Sequence, residues 1–150
     1  MRVGEVAAAV GRGLFAGLAG TAVMTVSSTL EAKLSGRGAS STPADAVKAA
    51  FGLETTSEGA EQRLATLAHW GYGTGWGAVR GLLDAVGLRG PAAGVAHFAV
   101  VWGGEQVVLP SLGVSRPTWA YGATATATDV FHHAVYAAAT SAAYAWLARH

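Results

Sequence analysis

Four apolar runs alternate along the chain with short polar stretches punctuated by Gly and Pro. Each run spans about 18–25 residues, the length that crosses a bilayer core of about 30 Å. The pattern predicts an all-α fold, a four-helix transmembrane bundle with one short interfacial helix between the first and second long helices. The first helix covers residues 3–34, with its apolar part at 13–30. Along it Gly13, Gly17, Gly20 or Thr21, Met24, Ser28 and Glu31 recur at three- and four-residue spacing and form one stripe. Gly13 and Gly17 have the spacing that lets two helix backbones approach closely.

Residues 35–41 form a polar Gly/Ser loop. The following Thr42-Pro43-Ala44-Asp45 reads as a helix start, with Thr42 as cap, Pro43 first inside and Asp45 returning to the cap N–H. This helix, 43–51, stops at Gly52 and can rest Val47 and Phe51 on a membrane surface. Thr55 with Glu58 repeats the capping pattern and opens the second long helix, 56–88, whose polar first turns stand outside the bilayer. Gly87, Gly90 and Pro91 mark the next turn. The third long helix runs over 91–109 and stops at Pro110, and the fourth over 118–148. Both termini then share one side. Five Lys/Arg fall there (Arg2, Arg12, Arg80, Arg89, Arg149) and five opposite (Lys33, Arg37, Lys48, Arg63, Arg116). Arg2 and Arg12, flanking the first helix, place the termini inside.

Composition adds three constraints. At 150 residues the chain is a single domain, 1–150, and only 13% of it is charged, half the usual share. Its 21 Gly and 33 Ala suit helices that pack closely in lipid, while a mean hydropathy of +0.35 keeps a soluble Ala-rich bundle as the alternative. The absence of Cys excludes disulfides, thiolate metal sites and Cys nucleophiles, and a net charge of +1 without a basic cluster points away from nucleic acid. The start superficially resembles a signal peptide. No small-x-small cleavage site follows it, so it is expected to be a retained helix.

The chain's chemistry is concentrated inside the apolar runs. His69, Arg80 and Asp84 lie in the second, His97 and Glu105 in the third, and Asp129, His132 and His133 in the fourth. A charged group at the bilayer centre costs about 2.5–3.5 kcal/mol or more unless it is paired or faces a cavity. Arg80 and Asp84, four apart, are expected to form an ion pair. His69, Gly73, Trp76 and Arg80 share a face, and Gly73, Gly77 and Gly81 make a smooth groove suited to another helix, including one from a second copy of the chain. The Gly-x-Gly spacing follows no strand, which excludes a nucleotide loop.

On the third helix His97, Val101 and Gly104/Glu105 form a stripe, and on the fourth Asp129, His132/His133, Tyr136 and Thr140 do. At about 1.5 Å per residue Glu105 and Asp129 reach similar depth, with His133 near the midplane and His69 further out. A polar cluster of Glu105, Asp129, His132, His133, His69, Tyr72 and Tyr136 is therefore expected. It can act as a structural network or as a proton-responsive site. His69 and His133 can also serve as a bis-His haem pair. A dinuclear carboxylate site lacks half of its usual ligands, since Asp129-x-x-His132 is the sole comparable pair. Ser/His/Asp hydrolysis lacks a nucleophile turn.

The motifs His69-Trp70-x-Tyr72-Gly73, Gly77-x-x-Arg80-Gly81, Trp102-x-x-Glu105-x-Val107-Val108-Leu109-Pro110-x-x-Gly113 and His133-x-x-Tyr136 resemble a bacterial inner-membrane family typified by YagU. The resemblance spans roughly residues 10–148. It implies a small multi-pass inner-membrane protein of unknown molecular function with a tie to acid stress, and it supplies no catalytic residues. The expected function is a non-enzymatic one in membrane or proton homeostasis. A haem- or metal-binding protein using His69 and His133 is the alternative, and a membrane enzyme ranks third.

Overall fold

The structure, a computed structural model, describes residues 2–38 and 40–150, which form an all-helical fold. Its elements are α1 (Val3–Ser35), α2 (Thr42–Phe51), α3 (Glu58–Ala85), α4 (Gly90–Ser111), a 3₁₀ turn (Thr118–Tyr121) and α5 (Ala123–Leu147). Several expected boundaries move. Ser41, not Thr42, precedes α2, and Pro43 occupies the first turn, where its missing N–H costs nothing. Ser57 caps α3 by accepting from Ala60 N at 3.2 Å, because the Thr55 hydroxyl is used on Glu61 instead. The second long helix ends at Ala85, three residues early, where Gly87 turns at φ 90°.

Pro110 does not stop α4. It sits in the last turn, and the helix closes beyond it through Leu112 N to Val108 O at 3.0 Å. The fourth long helix does not start at Thr118. Residues 118–121 form the 3₁₀ turn, and Gly122 at φ 98°, ψ 171° separates it from α5. That backbone conformation is open only to glycine at little cost.

Among the described residues two helices, Val3–Ser35 and Gly90–Ser111, are long and apolar enough to cross a membrane. Of the four expected spans, α3 and α5 fall short of that apolarity, since they are built largely of Gly, Ala and Thr. All four long helices nevertheless pack side by side. Along α1, Gly13 meets Gly81, Gly17 meets Gly73 and Gly77, and Thr25 meets His69, so α1 and α3 run antiparallel. Gly20 lies on Tyr136 and Thr140, and Ser27 on His132, which sets α5 antiparallel to α1 as well. The Gly73–Gly77–Gly81 face is thus occupied by α1 of the same chain. α4 packs chiefly against α5, with Gly94 beside Ser141.

The distribution of side chains is inverted relative to a water-soluble bundle. Buried apolar residues are mostly Ala (Ala9, Ala16, Ala44, Ala93, Ala137), joined by Val101, Tyr136 and Tyr144. Thr21, Arg80, His97, Gln106, His132 and Thr140 are buried too, whereas Phe15 and Phe131 are 70% and 57% exposed.

α2 is held on α3 by charge. Lys48 Nζ lies 2.9 Å from Asp45 Oδ1 and 2.5 Å from Glu61 Oε1. Hydrogen bonds from Lys48 lower the Glu61 and Asp45 pKa values, and the bond to Glu61, with that to Asp45, raises that of Lys48. For the two carboxyls, the stabilisation is complete above their ordinary values and disappears as pH falls through the lowered ones. For Lys48 it is complete below its ordinary value and disappears as pH rises through the raised one. Hydrogen–deuterium exchange of α2 is expected to accelerate when pH drops below about 4, and Lys48→Met is expected to remove that acid step.

Candidate functional site

α4 and α5 bring Glu105, Asp129 and His133 into one cluster, with one ligand-type atom from each within 4.8 Å of the others. Asp129 and His133 are four apart on α5, so they project from the same face. The α4 stripe supplies Glu105 opposite them. His133 Nε2 lies 3.0 Å from Glu105 Oε2, and its Nδ1 lies 3.3 Å from Asp129 Oδ1 and 2.9 Å from the Asp129 backbone oxygen. All three side chains are mostly buried, His133 most of all.

Asp129 is tied down further by three donors on one oxygen. Trp102 Nε1 donates to Oδ2 at 2.7 Å, Thr118 Oγ1 at 3.1 Å and Gln106 Nε2 at 3.5 Å. The indole N–H can only donate, so this oxygen is an acceptor and carries no proton. Gln106 Oε1 in turn accepts from Thr118 N at 2.7 Å, which locks the 3₁₀ turn over the cluster.

Hydrogen-bond accounting places a proton between α4 and α5. A backbone carbonyl can only accept, so His133 Nδ1 carries a hydrogen. In a neutral imidazole Nε2 would then present a lone pair to the Glu105 carboxylate at 3.0 Å, a repulsive contact. A proton on Nε2 or on Glu105 removes that repulsion. Glu105 Oε2 is fully buried and has no well-aligned donor, so the approach of His133 Nε2 is its compensation.

The other expected members of the cluster lie elsewhere. His69 pairs with Thr25 on α1, Nε2 to Oγ1 at 2.9 Å. His132 faces α1, with Nδ1 2.8 Å from Ser27 Oγ and Nε2 3.7 Å from Glu31. Tyr136 donates to Gly73 O at 2.6 Å, and Tyr72 turns outward against Trp76. Burial at helix contacts decides these placements, since each residue reaches the nearest neighbouring backbone or hydroxyl. A bis-His haem needs a free nitrogen from both His69 and His133. The contacts of both His133 nitrogens with Asp129 and Glu105 do not fit that role.

The expected Arg80–Asp84 ion pair is replaced by other partners. Asp84 takes Arg89 at 3.3 Å and the Tyr144 hydroxyl at 3.2 Å. Arg80 turns instead onto the Tyr144 ring, 4.5 Å from its centroid. Sequence reasoning missed Trp102, Gln106 and Thr118 as partners of Asp129. The one available signal was the four-residue spacing of Trp102 and Gln106 beside Glu105. His97, fully buried with Nε2 3.0 Å from Trp76 O, is a core residue joining α4 to α3.

No protein-family model, curated protein or solved structure matches this chain at a significant level. The likeness to the YagU family therefore rests on the quoted motifs.

Proposed function

We propose that the chain is a multi-pass protein of the bacterial inner membrane, crossed by α1, α3, α4 and α5, and that its Glu105–His133 pair is a proton-responsive element. The inverted distribution of side chains supports the location. Phe15 and Phe131 outside, with His, Arg, Gln and Thr inside, is the arrangement lipid favours, because polar groups there need protein partners. Gly and Ala keep α3 and α5 only weakly apolar, and their packing beside α1 carries them across with it. On this reading the protein resists extraction by alkaline carbonate. Recovery in the soluble fraction without detergent would return the chain to the Ala-rich soluble bundle.

One observation carries the proton reading: the 3.0 Å approach of His133 Nε2 to Glu105 Oε2, a contact that is repulsive unless one of the two groups is protonated. Other titratable groups near the pair are Asp129 on α5 and, from α3, His69 on the His133 side and Tyr72 on the Glu105 side. Loss of the proton turns the contact repulsive and loosens α4 from α5 as pH rises. The function this supports is non-enzymatic, a membrane element that senses or buffers protons, in keeping with the acid-stress tie the YagU resemblance implies.

Trp102 provides the readout, since its indole N–H is bonded to Asp129. Its emission, taken as the difference between the protein and Trp102→Phe, is expected to show a transition between about pH 4 and pH 10. Glu105→Gln is expected to abolish or displace it. A flat difference spectrum across that range would refute the reading. Stoichiometric capture of cobalt(II) at neutral pH, abolished by the same substitution, would replace the proton by a metal ion.

A further inference from the structure

The opposite end of the bundle, where α1 and α4 begin and α3 and α5 end, holds buried arginines that form no salt bridge among the described residues. Arg80 is 97% buried, as its exposure of 3% shows, and its Nε and Nη1 have no hydrogen-bond partner. Arg12, reaching towards the Tyr144 hydroxyl from α1, has a buried Nε that is also unpartnered. Asp84, a carboxylate close by, is engaged by Arg89 and by Tyr144. The Tyr144 ring supports one face of the Arg80 guanidinium and leaves its edge unsatisfied.

A guanidinium does not lose its proton, so it cannot escape this cost by neutralising. Its planar fork of donors matches an oxyanion better than any other ligand class. Arg12 stands just before residue 13, where the apolar part of α1 begins. On the membrane reading, that is headgroup depth. Five arginines (Arg2, Arg12, Arg80, Arg89, Arg149) stand at this end of the bundle against Glu5 and Asp84. Such an excess draws anionic lipid.

We infer that Arg80 and Arg12 form a binding site for a phosphate group, presented by an anionic phospholipid headgroup or by free phosphate. The lipid source rests on the membrane reading proposed above; the phosphate chemistry does not. The test uses the full chain in a neutral detergent, with thermal unfolding followed on addition of dioleoylphosphatidylglycerol, dioleoylphosphatidylcholine or inorganic phosphate. At saturating probe the midpoint is expected to rise by about 5–10 °C. Arg12→Gln is expected to remove most of that rise, and Arg80→Lys, which keeps the charge but loses the fork, to reduce it. Arg149→Gln, exposed at the same end, is expected to leave it intact.

A rise with phosphatidylglycerol alone identifies a lipid headgroup, and an equal rise with inorganic phosphate identifies a soluble ligand. The inference is overturned by no rise with either, by an equal rise with the zwitterionic lipid, or by a rise that survives both Arg12→Gln and Arg80→Lys. Where Arg80→Lys fails to fold, Arg12→Gln with the Arg149→Gln control decides the matter alone.

Discussion

Gly77→Leu is expected to abolish the fold, and Gly77→Ala to cost about 3 kcal/mol or more. A Cβ at position 77 would stand 2.6 Å from Gly17 Cα and 2.7 Å from Gly17 N, and closer still to Gly13 O. These neighbours are backbone, so no side-chain rotation can make room, and α1 must separate from α3. The same holds in reverse, since a Cβ at Gly17 would lie 2.7 Å from Gly77 Cα. Gly75, two residues away on the same helix, faces open space. Gly75→Ala is therefore expected to be neutral or to stabilise by up to about 1 kcal/mol through helix propensity. Thermal melts of the two alanine variants in the same detergent check the contrast. Equal midpoints would mean that α1 and α3 are not packed as described.

The second large effect is expected at the α4–α5 cluster. Asp129→Leu removes the acceptor of Trp102, Thr118 and Gln106 and strands the His133–Glu105 contact. A loss of about 3 kcal/mol is expected, the lower end for breaking a buried charged set, because these side chains keep some exposure. Glu105→Leu alone leaves His133 without its partner across the interface. Combining Glu105→Leu with His133→Leu is expected to recover part of the loss, with a coupling of about 1–3 kcal/mol. A double-mutant cycle by chemical denaturation measures it. Additive effects would mean that the 3.0 Å contact contributes nothing, and the proton reading would lose its basis.

Several features could be read from residue order alone. The all-helical class, the five helices and most of their ends follow from periodicity, from Ser, Thr and Pro at helix starts, and from Gly at helix stops. The ends that shifted did so through competition for a hydroxyl or a backbone angle. Thr55 was drawn to Glu61, leaving Ser57 to cap α3, and Gly122 turned residues 118–121 out of α5. Four spans were expected from run length. Length says whether a helix can reach across a bilayer, but the Gly, Ala and Thr of α3 and α5 do not make it apolar enough to do so by itself.

Residue order sets which faces of the long helices are small and which carry charge, because side-chain direction follows the helical repeat. It therefore set Glu105 on one stripe of α4, and Asp129 and His133 together on one stripe of α5. Which stripes meet depends on how the helices pack. Glycines 13, 17, 73 and 77 let α1 and α3 touch backbone to backbone. α1 then covers His69 and His132 and draws them to Thr25 and Ser27, away from Glu105. The α4–α5 seam is left to Glu105, Asp129 and His133. Arg80 and Asp84, correctly spaced for one another on α3, parted because Tyr144 and Arg89 offered each a nearer partner. Spacing along a helix sets what two side chains can reach, and neighbouring helices set what they find there.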